Sequence, residues 1–320
     1  MNARNQLQES DAQRPVLVAG ATGAVGSQVV RALLERGASV RVFVRSLDKV
    51  DALPAHVDRV VGTLEDRDAV ARALRGVRSA FFVAPHDADE EQLAENFVAA
   101  CEREQTRLVF SGVHAGGANR FTRLAMRTLF GRMMPHYIPK LRIAERVRTS
   151  RTTSVVLTPG NYFQMDELIR EELLAGRFIL PMGLVPRVDT RDIGDAAARA
   201  LLDGSVASGA YSLVGPTSLT GEESAAAWSV ALGRSVAYAP DFEAAALLFE
   251  RLYGGRKAVD FRESYRLLGG VKVKTSPREV QETTFLLGRP PRPFARYALE
   301  TAARWQAPAM PTGANLVTSR

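Results

Sequence analysis

The chain has 320 residues, a formal net charge of +7, 46% hydrophobic and 24% charged residues, and a single cysteine. That length holds one or two domains around a sizeable core, and the composition excludes a disordered or fibrous chain. No apolar run is long enough to span a membrane, and the polar N-terminus is not a secretory signal. One cysteine makes neither an intrachain disulfide nor a cysteine-based zinc site, so the expectation is a cytoplasmic protein.

Residues 1–14 read as a disordered polar arm. From Pro15 onward, short runs rich in Val and Phe alternate with segments of helical period. The runs are Val16–Ala19, Val40–Val44, Val57–Val61, Ala80–Val83, Leu108–Phe110 and Val155–Leu157. Runs of this length suit strands buried on both faces. Between the first two, Val25, Val29, Ala32 and Leu33 share one helical face, and Gly37 ends the helix. Asp66 is the expected N-cap of a helix whose inner face carries Val70 and Leu74. Leu93, Phe97, Ala100 and Cys101 form the inner stripe of the next, which makes Cys101 a core residue rather than a reactive thiol. Five strand–helix alternations predict an α/β fold with a doubly wound parallel sheet of Rossmann type.

After Leu157 the rhythm changes. Thr158-Pro159-Gly160 breaks the chain, residues 164–176 predict a short helix, and Phe178–Leu180 precede a Pro/Gly-rich turn. Asp189 to Leu202 predicts another helix, capped by Asp189, Thr190 or Asp192. Asp192 and Asp195 are read as acids favourable to that helix start, not as an acid/base pair. Tyr211–Val214 predicts a further strand. A Pro-rich strip, 289–293, and a flexible tail, 306–320, close the chain.

The strongest motif is Gly20-Ala21-Thr22-Gly23-Ala24-Val25-Gly26, placed between a strand and a helix. Gly20 allows the tight turn, Gly23 the approach of backbone to a pyrophosphate, and Gly26 close packing of the helix on the sheet. Free amides and the helix dipole favour phosphate there. The second strand ends in Val44-Arg45-Ser46, where an NAD-preferring site carries an acid. Arg45, assisted by Lys49, suits the 2′-phosphate of NADP(H). Ligands lie outside the carboxyl ends of parallel strands. That rule sets Thr63 and Leu64 at the adenine, and Ala84 and Pro85 near the nicotinamide ribose.

These residues, with Phe110-Ser111-Gly112, Thr158–Phe163, Val188–Ile193 and Leu287–Pro291, resemble the NmrA-like group of atypical short-chain dehydrogenases/reductases across about residues 15–305. That group includes quinone reductases, isoflavone-reductase-like enzymes, redox-neutral enzymes and NADP-sensing regulators. The resemblance implies a split organisation. An NADP-binding unit would comprise 15–160 plus 187–215, and a smaller substrate unit 161–186 plus 216–305. It also implies a catalytic Ser at the end of the fifth strand, here Ser111, and a Lys on the following helix, here Lys140, at the nicotinamide ribose. His136 stands where related reductases carry Tyr, with Tyr137 one position out of step. Only five lysines stand against 37 arginines, so a retained Lys140 hints at chemistry that Arg cannot do. Pro139 starts the helix and leaves His136 in the preceding turn.

Pro159 and Phe163 join the expected cofactor contacts, and His86, His114, Tyr137, Phe163 and Met165 the expected substrate pocket. The segment carrying Phe121, Leu124, Phe130, Met133, Met134 and Tyr137 reads as a lid. No second ligand cluster accompanies His86-Asp87-Ala88-Asp89, so no metal is expected. Residues 120–151 hold nine basic side chains against one acid, Glu145. Without zinc-finger spacing or interleaved aromatics, they do not make nucleic acid an expected partner. The sequence therefore points to an NADP(H)-dependent oxidoreductase for a carbonyl, quinone or conjugated double bond in an apolar small molecule. A non-catalytic NADP(H) sensor and a redox-neutral isomerase or cyclase are the alternatives. Monomer and homodimer both stay open.

Overall fold

The computed structural model describes residues 14–48, 50, 53–114 and 137–306. Lys49, His136 and the expected lid apart from Tyr137 lie outside the described residues. Arg14, expected in the polar arm, donates from Nη2 to the Val77 carbonyl at 2.8 Å.

The first half alternates as the sequence requires. In chain order come β1 (Val16–Ala19), α1 (Gly26–Leu34), β2 (Val40–Val44), β3 (Asp58–Val61), α2 (Arg67–Leu74), β4 (Ser79–Val83), α3 (Glu90–Arg103), β5 (Arg107–Ser111), α4 (Ile138–Arg148) and β6 (Ser154–Pro159). Asp66 caps α2 by accepting from the Asp68 and Ala69 amides. Beyond β6 come β7 (Asn161–Tyr162), a 3₁₀ turn (Phe163–Ile169), α5 (Arg170–Leu174), β8 (Arg177–Phe178), β9 (Val185–Val188), α6 (Thr190–Leu202) and β10 (Gly209–Leu213). The chain closes with β11 (Ser218–Leu219), α7 (Gly221–Leu232), β12 (Ala237–Tyr238), α8 (Phe242–Tyr253), α9 (Gly255–Leu268), α10 (Pro277–Leu287) and α11 (Phe294–Gln306). Asp189 caps α6, and the helix expected over 164–176 begins as the 3₁₀ turn.

The main sheet runs β10-β6-β5-β4-β1-β2-β3. Every neighbouring pair in it is parallel. One face buries α1 and α6, the other α2, α3 and α4. Cys101 is fully buried in the second of these layers, and burial pushes its thiol up. The strand order reverses beside β1, which opens the crevice where such sheets take ligands. The expectation of strands buried on both faces fails for the third: β3 is the sheet edge, and its Val61 is 48% exposed. An edge strand has a partner on one side only, so its outer residues meet water.

A second core gathers the 3₁₀ turn, α5, β8, α7, α8 and α11 around Trp228, Phe249 and Tyr297. The helix α10 joins the other side: its Leu286 packs in the first core, and Thr283 Oγ1 accepts from the Val214 amide at 3.0 Å. Residues 277–287 thus close over β10 and α6 rather than over the smaller core. Asp192 is fully buried and clamped by Arg289 and Arg292 of the Pro-rich strip. That acid fastens the strip to α6 in addition to facing its N-terminus. No described helix is long and apolar enough to cross a membrane.

The glycine turn makes a direct stability prediction. A Cβ at Gly26 would sit 2.1 Å from the Gly20 carbonyl oxygen, whereas one at Gly204 meets nothing within 4 Å. Gly26→Ala is expected to lower stability by about 2 kcal/mol or more, and Gly204→Ala to stay within about 0.5 kcal/mol of the parent, read from urea midpoints.

Candidate active site

The site begins at the carboxyl end of β1. Gly20 turns the chain with φ +80°, a conformation that glycine adopts without strain. Its carbonyl accepts from the Gly23 amide at 3.0 Å, which folds Ala21 and Thr22 into a tight loop. Thr22, Gly23 and Ala24 are exposed, and α1 starts at Gly26. The amides of Thr22, Ala24 and Val25 have no backbone acceptor among the described residues. They stand at a helix N-terminus, where the dipole favours an anion. Arg45 follows β2 directly, is exposed, and makes no ion pair among the described residues. A pyrophosphate on the loop and a 2′-phosphate on Arg45 fit these groups.

A cavity of about 260 Å³ opens past the ends of β4, β5 and β6. Its walls bring together Ala84, His86, Ser111, His114, Tyr137, Lys140, Pro159 and Met165, all of them expected site residues. Apolar surface comes from Phe110, Val185 and Phe261, and further phenols from Tyr162 and Tyr265. Burial pushes the Tyr137, Tyr162 and Tyr265 hydroxyls up, so these phenols stay protonated.

The charges in this apolar setting are paired. Lys140 is 5% exposed, and its Nζ donates to Glu90 Oε2 at 2.6 Å. Burial pushes the Glu90 carboxyl up against the pull of Lys140. His86 Nδ1 lies 2.8 Å from Asp260 Oδ2, and His114 Nε2 lies 2.6 Å from Glu279 Oε1. Ser264 Oγ donates to the Asp260 carbonyl at 2.6 Å and lies 2.9 Å from the Tyr137 hydroxyl. Ser111 is 3% exposed at the end of β5. Its hydroxyl lacks a partner within hydrogen-bond geometry among the described residues, although the Tyr162 phenol is close enough to be influenced by it.

Other expected residues lie elsewhere. Arg45, Thr63, Leu64 and the glycine turn stand outside the cavity wall, along the crevice at the strand ends. Pro85 is half-buried between the wall residues Ala84 and His86. Phe163 is a correction. It is 1% exposed, packs edge-on against Phe294 at 5.0 Å, and belongs to the second core rather than to the cofactor or substrate wall. Side chains on the 3₁₀ turn split between core and cavity, and Met165, two residues on, takes the cavity side. The helix start at Pro139 holds to within a residue: α4 begins at Ile138, with Tyr137 at its N-cap.

Sequence reasoning missed Glu90 and Asp260. Glu90 carried a signal, because it lies three residues before Leu93 on the apolar stripe of α3. An acid on a buried stripe needs a partner. Asp260 had no comparable signal, since its partner is 174 residues away.

Three comparisons bear on this geometry. A model of the NmrA-like family matches residues 12–288. The chain belongs to the NmrA-like family. It is 32% identical over 291 residues to a (4-alkanoyl-5-oxo-2,5-dihydrofuran-3-yl)methyl phosphate reductase of Streptomyces griseus, covering 90% of this chain and 98% of that one. It is 30% identical over 306 residues to an NAD(P)H azoreductase of Xenophilus azovorans, covering 91% and 99%. Its fold is similar to that of the Citrobacter sp. triphenylmethane reductase complexed with NADP(H). The TM-score there is 0.73 at 20% identity, over 90% of this chain and 99% of that one. This NmrA-like chain thus matches these proteins over almost their whole length and shares its fold with the triphenylmethane reductase.

One contact at the cavity wall sets an acid limit on stability. Burial raises the Glu279 carboxyl, but hydrogen bonds from His114 and Ser276 outweigh it and hold it near about 2 against an ordinary 4.5. A depressed carboxyl stabilises fully above its unfolded value and loses that contribution as pH falls through its folded value. The parent is therefore expected to lose stability between pH about 4.5 and about 2. Glu279→Gln is expected to be less stable near neutrality and flatter across that window, read from denaturant midpoints.

Proposed function

We propose that this protein is an NADP(H)-dependent reductase that acts on a carbonyl, quinone or conjugated double bond in a flat, apolar small molecule. One observation carries the reading: a phosphate-type glycine turn with an Arg45 that makes no ion pair among the described residues leads along the strand ends into a cavity that holds Ser111 and Lys140. The reductase names of the two relatives that match almost end to end support it.

Bound at the turn, the nicotinamide nucleotide supplies a hydride. The chain's own residues do the rest. The loop amides and the start of α1 hold the pyrophosphate, and Arg45 meets the 2′-phosphate with a charge-assisted hydrogen bond. Thr63 and Leu64 edge the adenine, and Ala84 and Pro85 line the path to the cavity. Lys140, kept in place by Glu90, donates to the nicotinamide ribose. Ser111 offers its hydroxyl to the reacting group of the substrate. Phe110, Met165, Val185 and Phe261 exclude water and suit a flat ligand. Among the described residues, Lys140, His86 and His114 of the walls each face a carboxylate, which favours an uncharged substrate core.

The test is a paired titration with NADPH and NADH at fixed salt. NADPH is expected to bind tightly and NADH much more weakly. Arg45→Ala is expected to weaken NADPH by about ten- to hundredfold, the worth of a charged hydrogen bond, and to leave NADH nearly unchanged. Binding of neither nucleotide by the parent sinks the reading.

Lys140→Met alone strands the Glu90 carboxylate in a buried site, a change that costs about 3–5 kcal/mol. The double variant Lys140→Met/Glu90→Gln removes both charges and is expected to fold, yet to lose at least about tenfold in NADPH-dependent quinone reduction. Unchanged turnover in that variant counts against the role of Lys140.

A further inference from the structure

The cavity holds a second polar arrangement that these roles leave unused. His86 lies just past β4 on the cavity wall, with 26% of its side chain exposed. Asp260, on α9, is 1% exposed and lies 2.8 Å from His86 Nδ1. An ionised carboxylate only accepts, so Nδ1 carries the hydrogen and the ring orientation is set. The ring also lies near Phe261, with centroids 5.7 Å apart. Nε2 has no protein partner among the described residues and is the nitrogen left for a ligand.

Charged groups surround the pair. Among the described residues, these are Glu90 from α3, Lys140 from α4 and Arg256 from α9. Glu90 and Asp260 are both buried carboxylates. Lys140 pairs with Glu90 at 2.6 Å, and Arg256, with 40% of its side chain exposed, pairs with Asp260 at 3.6 Å. With Nδ1–H given to Asp260, Nε2 donates only when the ring carries its second proton. Lys140 is held by Glu90 and assigned to the nicotinamide ribose, so His86 Nε2 and the Ser111 hydroxyl are the wall groups left for the substrate.

We propose that His86 is the hydrogen-bond and proton donor to the substrate oxygen on which negative charge develops, with Asp260 as its positioning residue. This rests on the reductase reading above. As the acceptor carbon gains hydride, the carbonyl or conjugated π bond breaks and its electron pair moves to oxygen. The Nε2–H bond breaks and the O–H bond forms. His86 is left neutral with Nδ1–H still donated to Asp260, and its part-exposed ring recovers a proton from water.

The test uses the full chain and two probes of one shape. The phenolate oxygen of p-nitrophenol imitates the developing charge, and p-nitroanisole cannot carry it. Near the phenol's own ionisation pH, the parent is expected to bind both and to hold more of the phenol ionised than water does. His86→Gln and His86→Asn are expected to weaken p-nitrophenol by about ten- to hundredfold and to leave p-nitroanisole unchanged, which also shows that the cavity is intact. Asp260→Asn is expected to lower the ionised fraction of bound p-nitrophenol, read from its absorbance, with p-nitroanisole again unchanged. Equal p-nitrophenol binding by the parent and both His86 variants overturns the assignment. So does a loss shared equally by the anisole, or a parent that binds neither probe. NADPH titration of the same proteins separates the readings. Retained NADPH with no phenol contrast removes the role of His86 alone, whereas a parent that binds no NADPH removes the reductase reading itself.

Discussion

Arg187 has no exposed surface, and a guanidinium out of water must have its charge met by protein. Its Nη groups do this, while Nε is buried without a partner among the described residues. Nη2 donates to Asp166 at 2.6 Å and to the Tyr162 carbonyl at 3.2 Å, and Nη1 reaches Ser224 at 3.2 Å. Its charge lies over the Phe294 ring at 4.8 Å. The same Asp166 accepts from Trp228 Nε1, so the ion pair is built into the second core. The backbone of Arg187 serves the other side, because its carbonyl accepts from Gly215, just past β10 of the main sheet. Asn161 pairs with Arg187 in the β7–β9 ladder. One residue thus holds the end of the main sheet, the small sheet and the aromatic core in fixed relation. The cavity wall at Pro159–Tyr162 takes its position from that junction.

Charge is distributed along the crevice according to what each part has to meet. At the glycine turn and Arg45, most of the donors are exposed, and Arg45 has no acidic partner among the described residues. That is the arrangement an anionic cofactor needs, since an internal carboxylate would compete for the same donors. Within the cavity the opposite holds. Lys140 meets Glu90, His86 meets Asp260, and His114 meets Glu279. Each pair reaches between segments distant in the chain, so the pairs also fasten the cavity wall. Glu279 belongs to the capping box of α10, which packs over the main sheet. The histidine at the wall is thereby linked to the helix that covers β10.

How much was legible followed from how local each signal was. The turn from Gly20 to Gly26 declares itself, because three glycines between a strand and a helix are needed for close backbone approach. Arg45 was legible for the same reason: its place at the end of β2 follows from counting along one βαβ unit. Ser111 and Lys140 needed a resemblance to be picked out, and the fold then set both on one cavity. Phe163 was misassigned because a 3₁₀ turn distributes neighbours over several faces, and a buried aromatic on it looks the same in sequence as a cavity aromatic. The edge strand β3 was misread as buried because strand order in a sheet is not written in any one strand.

The sequence by itself determined the doubly wound layer, its phosphate turn, its helix caps and the burial of Cys101, all of which rest on periodicity and on residues a few positions apart. Only the tertiary structure decided which buried charges meet. His86 and Asp260 are 174 residues apart, Lys140 and Glu90 are 50, and Arg187 and Trp228 share Asp166 from three different segments. The physical reason is that a buried ion is tolerated only when its counter-ion arrives, and in these pairs the counter-ion arrives through the packing of distant elements rather than along the chain.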